Sequence, residues 1–165
     1  LADNATFNRT QIENIGLVYM TNMTEAVKVL KKYNATHILV FVTFQLNSSY
    51  QLPDAGWEVG WGDEGKWRWM ARIAHERYPF VNENDLFDDE NRVWTAEIPG
   101  DGKTQGKETV IYKLMRYGME RITMGYSYVA IDPYFTEAYY SNTEGRSYGG
   151  AIPLVAVYQI NYPTT

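Results

Sequence analysis

Asp63, Lys66 and Met70 stand at i, i+3 and i+7 within GWGDEGKWRWM, residues 60 to 70. On an α-helix these positions share one face, so a carboxylate, an ammonium and a thioether form one stripe. Such a stripe can serve as a small recognition wall. Its charges would hydrogen-bond a polar ligand, and the flexible thioether would adapt to an apolar one. A salt-bridged helix edge with Met70 turned toward the core accounts for the same spacing, and spacing alone favours that plainer reading. Three of the five tryptophans, Trp61, Trp67 and Trp69, flank the stripe and are expected to hold the helix rigid, Trp61 and Trp67 as direct support. Asp63 and Glu64 fall in the first turn, where the helix dipole favours negative charge.

Other chemistries are poorly served. G-x-S-x-G, a P-loop lysine pattern and G-x-G-x-x-G are all missing from the sequence. The absence of cysteine removes disulfides, thiolate metal sites and a cysteine nucleophile. The two histidines, His37 and His75, are too far apart to make ligand spacing. Asp132 with Glu137 could supply the two carboxylates of a glycosidase. With 20 acidic residues such pairs arise readily. The acidic run Asp85 to Glu90 offers oxygens for Ca²⁺, but it lacks the glycine and spacing of an EF-hand loop and reads as a solvated loop.

The elements that must position the stripe come next. A helix is expected from Asp63 to about Tyr78, where Pro79 stops it. Its apolar side is Lys66 and Arg77 by their stems, with Trp67, Met70, Ile73 and Ala74. Residues 1 to 21 read as polar and irregular. NMTEAVKVLKKYN reads as a helix with Asn22 as N-cap and Glu25 at N3, a capping-box arrangement. Ala26, Val29, Leu30 and Tyr33 recur at helical spacing, Lys28, Lys31 and Lys32 suit the dipole, and Asn34 can close the helix. THILVFVTF reads as a strand buried on both sides. Residues 46 to 56 form a loop, and the glycines around 56 to 65 would let the segment before the motif move. Residues 80 to 108 read as surface loops around Val93 to Ile98. TVIYKLMRYGMERI is expected to be a helix with Ile111, Leu114 and Met115 inward. FTEAYYS and AIPLVAVYQINY read as two strands of a hairpin joined through Asn142 to Gly150, with Pro153 near a strand end or an edge. The fold class that follows is α/β: a mixed single domain, helices packed around a small sheet, with a C-terminal β-hairpin.

Composition sets the bounds. The 165 residues suit one core, with 45% hydrophobic and 21% charged side chains. Net charge is −5 and the pI about 5.0, against a nucleic-acid partner. Aromatics reach 15%, with 14 tyrosines, which suits either a core or a carbohydrate- or peptide-binding face. The longest apolar run, Ile38 to Phe44, is strand-sized, far below the roughly 18 residues of a spanning helix. The sequence opens at Leu1 without an initiator Met and reads as a piece of a larger protein. Asn-x-Ser/Thr occurs at Asn4, Asn8, Asn22, Asn34 and Asn47, where chance would give roughly one. Such tripeptides accept N-linked sugar on extracytoplasmic surfaces, and their enrichment points to that setting without showing that sugar is attached; a helix cap at Asn22 and a helix end at Asn34 account for two of them without sugar.

DEGKWRWM resembles the D-x-x-K-x-x-x-M/I signature of the oligosaccharyltransferase catalytic subunit of archaea and eukaryotes. DNATFNRTQI and TNMTEAVKVLKKYNATHILVF resemble the segments between that family's two extracytoplasmic motifs. FTEAYYS with VAVYQINY resembles its closing hairpin. The likeness covers most of the chain and is nearest to the short archaeal form. It implies that residues 1–165 are the single C-terminal, extracytoplasmic globular domain of a multi-pass membrane glycosyltransferase. That enzyme moves a dolichol-linked oligosaccharide to Asn in Asn-x-Ser/Thr of an acceptor peptide or protein, using Mn²⁺ or Mg²⁺ held by its membrane domain. It implies no catalytic residue and no metal ligand in this chain. Asp63, Lys66 and Met70 would form one wall of the acceptor pocket, with Met70 against the methyl of an acceptor Thr. The family's W-W-D-Y-G motif, the other wall, is absent and would lie upstream of Leu1. A free-standing carbohydrate-binding module and a glycoside hydrolase fragment are the alternatives.

Overall fold

A computed structural model describes residues 8–46, 52–53, 60–96 and 104–163. Helices α1 (Arg9–Met20), α2 (Met23–Lys32), α3 (Asp63–Arg77), α4 (Glu83–Leu86) and α5 (Val110–Met124) accompany two small antiparallel sheets. The larger sheet has the order β1 (His37–Phe44), β5 (Ile152–Ile160), β4 (Phe135–Tyr140). The other pairs β2 (Phe87–Asp88) with β3 (Val93–Trp94). The protein is therefore a mixed α/β fold, and β4–β5 is the expected C-terminal hairpin.

The large sheet has one strongly buried face. Ile38, Val40, Val42 and Phe44 of β1 and Leu154, Ala156 and Tyr158 of β5 are buried on it. Helix α5 lies against this face at Gly118, where a Cβ would come within 3.0 Å of Leu154 Cδ2 and the Tyr158 hydroxyl. The other side of β1 is not buried: Leu39 is 49% exposed. A strand covered on both sides was the wrong expectation: burial alternates along β1, and its odd-numbered side chains, Leu39 among them, lie on the less covered face of the sheet. Pro153 lies in the central strand, near its start. The β4 pairing ends at Tyr140↔Ala156, so the side where Pro153 lacks an N–H has no ladder to break. Its carbonyl instead accepts from Asn142 Nδ2 at 3.0 Å.

Residues 9–20, read from sequence as irregular, form a helix. Asn8 caps it, its Oδ1 accepting from Gln11 N at 3.0 Å. The inward face hides from a hydropathy reading because it includes Glu13 and Gly16 beside Leu17 and Met20. Both serve the packing on α3. Glu13 meets Arg77 at 3.2 Å, and a Cβ at Gly16 would lie 3.0 Å from the Met70 carbonyl oxygen and 3.3 Å from the Ala74 side chain. The helix axes approach closely only because Gly16 has no side chain.

Helix α2 matches expectation at its ends, but its buried face is Ala26, Val27 and Leu30, Tyr33 is 40% exposed, and the Glu25 carboxylate takes Lys28 at 3.0 Å. Asn22 Oδ1 accepts from Glu25 N at 2.9 Å. Its end is a Schellman turn: Asn34 N donates to Lys31 O, Ala35 N to Leu30 O, and Asn34 takes the left-handed φ of 53°. The polar stretch 80 to 108 is more ordered than surface loops would be. Leu86, Phe87 and Trp94 are each at most 2% exposed, around a 3₁₀ turn at Gly106–Glu108. They are buried because Trp67 of α3 packs on Trp94 and Phe87, with ring centroids 4.7 and 6.0 Å away. This cluster fixes α3 from below.

Candidate functional site

Along β1 the even-numbered residues bond β5, as Ile160 N to Thr36 O shows just before the strand, and the odd-numbered backbone groups turn to the free edge. Bare edges of this kind are open to unwanted pairing. Here the start of α3 covers the edge. The Phe41 N–H donates to Asp63 Oδ2 at 2.9 Å, and the Thr43 N–H donates to Glu64 Oε1 at 2.6 Å. The Thr43 hydroxyl and the Gly62 N–H donate to Glu64 Oε2, each at 2.9 Å. Further along, the Tyr19 hydroxyl donates to the Leu39 carbonyl at 2.7 Å. A Cβ on Gly62 would sit 2.5 Å from the Phe41 carbonyl oxygen and 2.9 Å from Val42 Cα. Gly62 therefore permits close backbone approach, which is its visible use here; residues 54–59 of the preceding segment lie outside the described residues.

These bonds set the rotation of α3. Its buried positions are Glu64, Trp67, Ala71 and Ala74. The expected apolar side is thus turned by part of a residue step: Lys66 is exposed, and Ile73 is 38% exposed. Asp63, Lys66 and Met70 remain a stripe on the helix flank. Asp63 is anchored at the β1 edge, Lys66 stands in solvent, and Met70 is partly buried against the core. Trp67 supports the helix as expected, at 1% exposed. Trp61 does not: its indole is 82% exposed, and only its backbone N–H bonds inward, to the Thr43 hydroxyl at 3.1 Å. Trp69, 64% exposed, lies along an arginine instead, with the Arg72 guanidinium 5.3 Å from its ring centroid.

Glu64 escapes a reading from sequence, where it is one more first-turn acid. It is fully buried and accepts at both oxygens. Burial pushes its carboxyl up from the usual range, and the hydrogen bonds from Thr43 and Gly62 pull the other way. Asp63 is raised for the same first reason, offset by the Phe41 N–H and by the Lys66 charge. Tyr19, partly buried beside the Asp63 charge, is pushed up to about 12. The only sequence signal for Glu64 is an Asp–Glu pair directly after closely spaced glycines.

An apolar groove of about 290 Å³ runs beside the same strand, lined by Ile15, Tyr19, Leu30, Tyr33 and Leu39 among others. Most of the remaining acidic candidates are engaged. Arg121 bonds Glu137 and holds its carboxyl below the usual range, while Asp132 is exposed. In the acidic run, Asp88 accepts from the Glu90 and Asn91 N–H groups at 3.0 and 3.1 Å, and Asp89 pairs with Arg68 at 2.6 Å. Among the described residues no group of three or more His, Cys, Asp or Glu side chains could hold a metal ion, and no helix is long and apolar enough to cross a membrane. No protein-family model matches the sequence, and no curated protein matches it.

Proposed function

We propose that the chain is the acceptor-recognition domain of an oligosaccharyltransferase. One observation carries the reading beyond the sequence pattern: Asp63 is fixed to the edge of β1 while Lys66 and Met70 stand beside it on the same flank of α3. A wall made of one anchored carboxylate, one free ammonium and one adaptable thioether suits a short peptide. Lys66 would hydrogen-bond the acceptor backbone or an acidic group of the other wall. Met70 would pack on the methyl of a threonine two residues after the acceptor asparagine. Asp63 orients Lys66 by its charge and ties the motif to the sheet. The transfer chemistry itself, with its Mn²⁺ or Mg²⁺ and the dolichol-linked donor, is assigned to a membrane domain outside these residues. That setting puts the chain on the extracytoplasmic face of a membrane.

The test is proximity. An acceptor peptide with a photoreactive diazirine at the +2 position, bound to the full-length enzyme, labels Met70 or its immediate neighbours on α3. Labelling confined to other parts of the chain contradicts the reading. A second reading, a carbohydrate-binding module, is favoured by a specific pair. Tyr126 and Tyr128 stand 53% and 80% exposed, edge to face, with ring centroids 5.5 Å apart. Sugar binding by the domain without any peptide would support that alternative.

A further inference from the structure

Three of the five Asn-x-Ser/Thr tripeptides fall among the described residues, and their surroundings separate them; Asn4 and Asn47 lie outside. Asn8 and Asn22 are helix N-caps, each with its amide oxygen held by a backbone N–H. Their third residues are engaged as well. Thr10 accepts from Arg77 at 2.8 Å, and Thr24 shares a hydrogen bond with the Tyr134 hydroxyl at 3.0 Å. Asn34 differs in its amide. It is exposed, it occupies the left-handed residue that ends α2, and its side chain has no hydrogen-bond partner among the described residues. Thr36 is exposed too, and its hydroxyl meets only the ring of the adjacent His37, at 2.9 Å.

The requirement for Ser or Thr at the third position means that its hydroxyl is read, so a hydroxyl bonded elsewhere is a poor acceptor signal. A linked sugar must also remain in water, and at an N-cap it would disturb the side-chain bond that closes the first helical turn. Asn34 and Thr36 both stand on the folded surface, at the short turn between α2 and β1, and the Thr36 hydroxyl's bond, to the exposed ring of its own neighbour, ties it to no other element. We propose that Asn34 is N-glycosylated. Its Nδ2 forms the bond to the anomeric carbon of a lipid-phosphate-linked oligosaccharide. The bond from that carbon to the phosphate oxygen breaks, the phosphate leaves with the electron pair, and the amide nitrogen gives up one proton to a base. The inference rests on the reading above for one point alone, the extracytoplasmic setting.

The experiment is intact-mass and peptide-fragmentation analysis of the full-length protein from its native cell, as wild type, Thr36→Ser, Thr36→Ala and Thr24→Ala. Thr36→Ala leaves the Asn34 side chain and the helix end in place, so folding is preserved. The Asn34 peptide gains the mass of one glycan in wild type, Thr36→Ser and Thr24→Ala, and loses it in Thr36→Ala. An unmodified Asn34 peptide in wild type overturns the proposal, as does a glycan that survives Thr36→Ala. Sugar on Asn8 or Asn22 without sugar on Asn34 overturns the site but leaves the extracytoplasmic setting standing. Complete absence of sugar overturns the site, and the peptide-labelling experiment then decides the acceptor reading separately.

Discussion

At the scale of the residue, Asp63 and Glu64 do different work from what their position in a helix first turn suggests. Both are acceptors for an exposed strand edge, and both have carboxyls raised mainly by burial. A raised carboxyl means that the folded state binds protons the unfolded chain has released. The stability tied to these groups is fully present below the ordinary Asp and Glu values near 4 and is lost as pH rises through the folded values. Asp63→Asn keeps an oxygen for the Phe41 N–H and removes the titration. Chemical denaturation of the two proteins from pH 3 to 8 should therefore show the variant gaining on wild type as pH rises. A difference that stays flat with pH would sink the assignment of buried charge at Asp63. The stripe itself was readable from spacing. The burial of Glu64 was not, because it depends on Thr43, 21 positions away in sequence, and only the fold brings the two together.

At the scale of the element, α3 is held from three sides: by the aromatic cluster at Trp67, by the β1 edge at its N-terminus, and by α1 where Gly16 meets Met70 and Ala74. Gly62 governs the second. Alanine there would drive its methyl into the Phe41 carbonyl and Val42, so α3 must back away from the sheet and loosen the Asp63 and Glu64 bonds. Overpacking of this kind costs about 1–3 kcal/mol. Gly62→Ala is expected to lower the unfolding free energy by that amount and, on the proposed reading, to weaken acceptor peptide binding by the full-length protein. Unchanged stability and binding would show that the edge contact is dispensable. Helix α2 was legible because its cap, lysines and Asn34 ending are local signals. The α1 helix was missed because its packing face contains a glutamate and a glycine, each justified only by a partner on α3. Strand β1 was found, but its less covered face was not, since its apolar run includes side chains on both faces of the sheet.

At the scale of the whole molecule, the start of α3 is docked on the β1 edge of the small sheet. The sheet buries one face under α5, and the motif side chains stand on the flank of α3 beside the strand edge. The class of fold and the closing hairpin followed from local patterns along the chain. The purpose of the stripe rests on its chemistry and on the family likeness, and one number speaks to it. A buried methyl contributes about 0.8 kcal/mol, and 1.4 kcal/mol is a factor of ten. Contact between Met70 and the acceptor threonine methyl should thus favour Asn-x-Thr over Asn-x-Ser by roughly fourfold. On the proposed reading, the decisive measurement is the ratio of kcat/KM for matched Asn-x-Thr and Asn-x-Ser peptides with the full-length protein, wild type against Met70→Ala. The expected result is a clear preference for Thr in wild type that falls toward parity in the variant, with overall folding retained. A ratio unchanged by Met70→Ala would contradict the account.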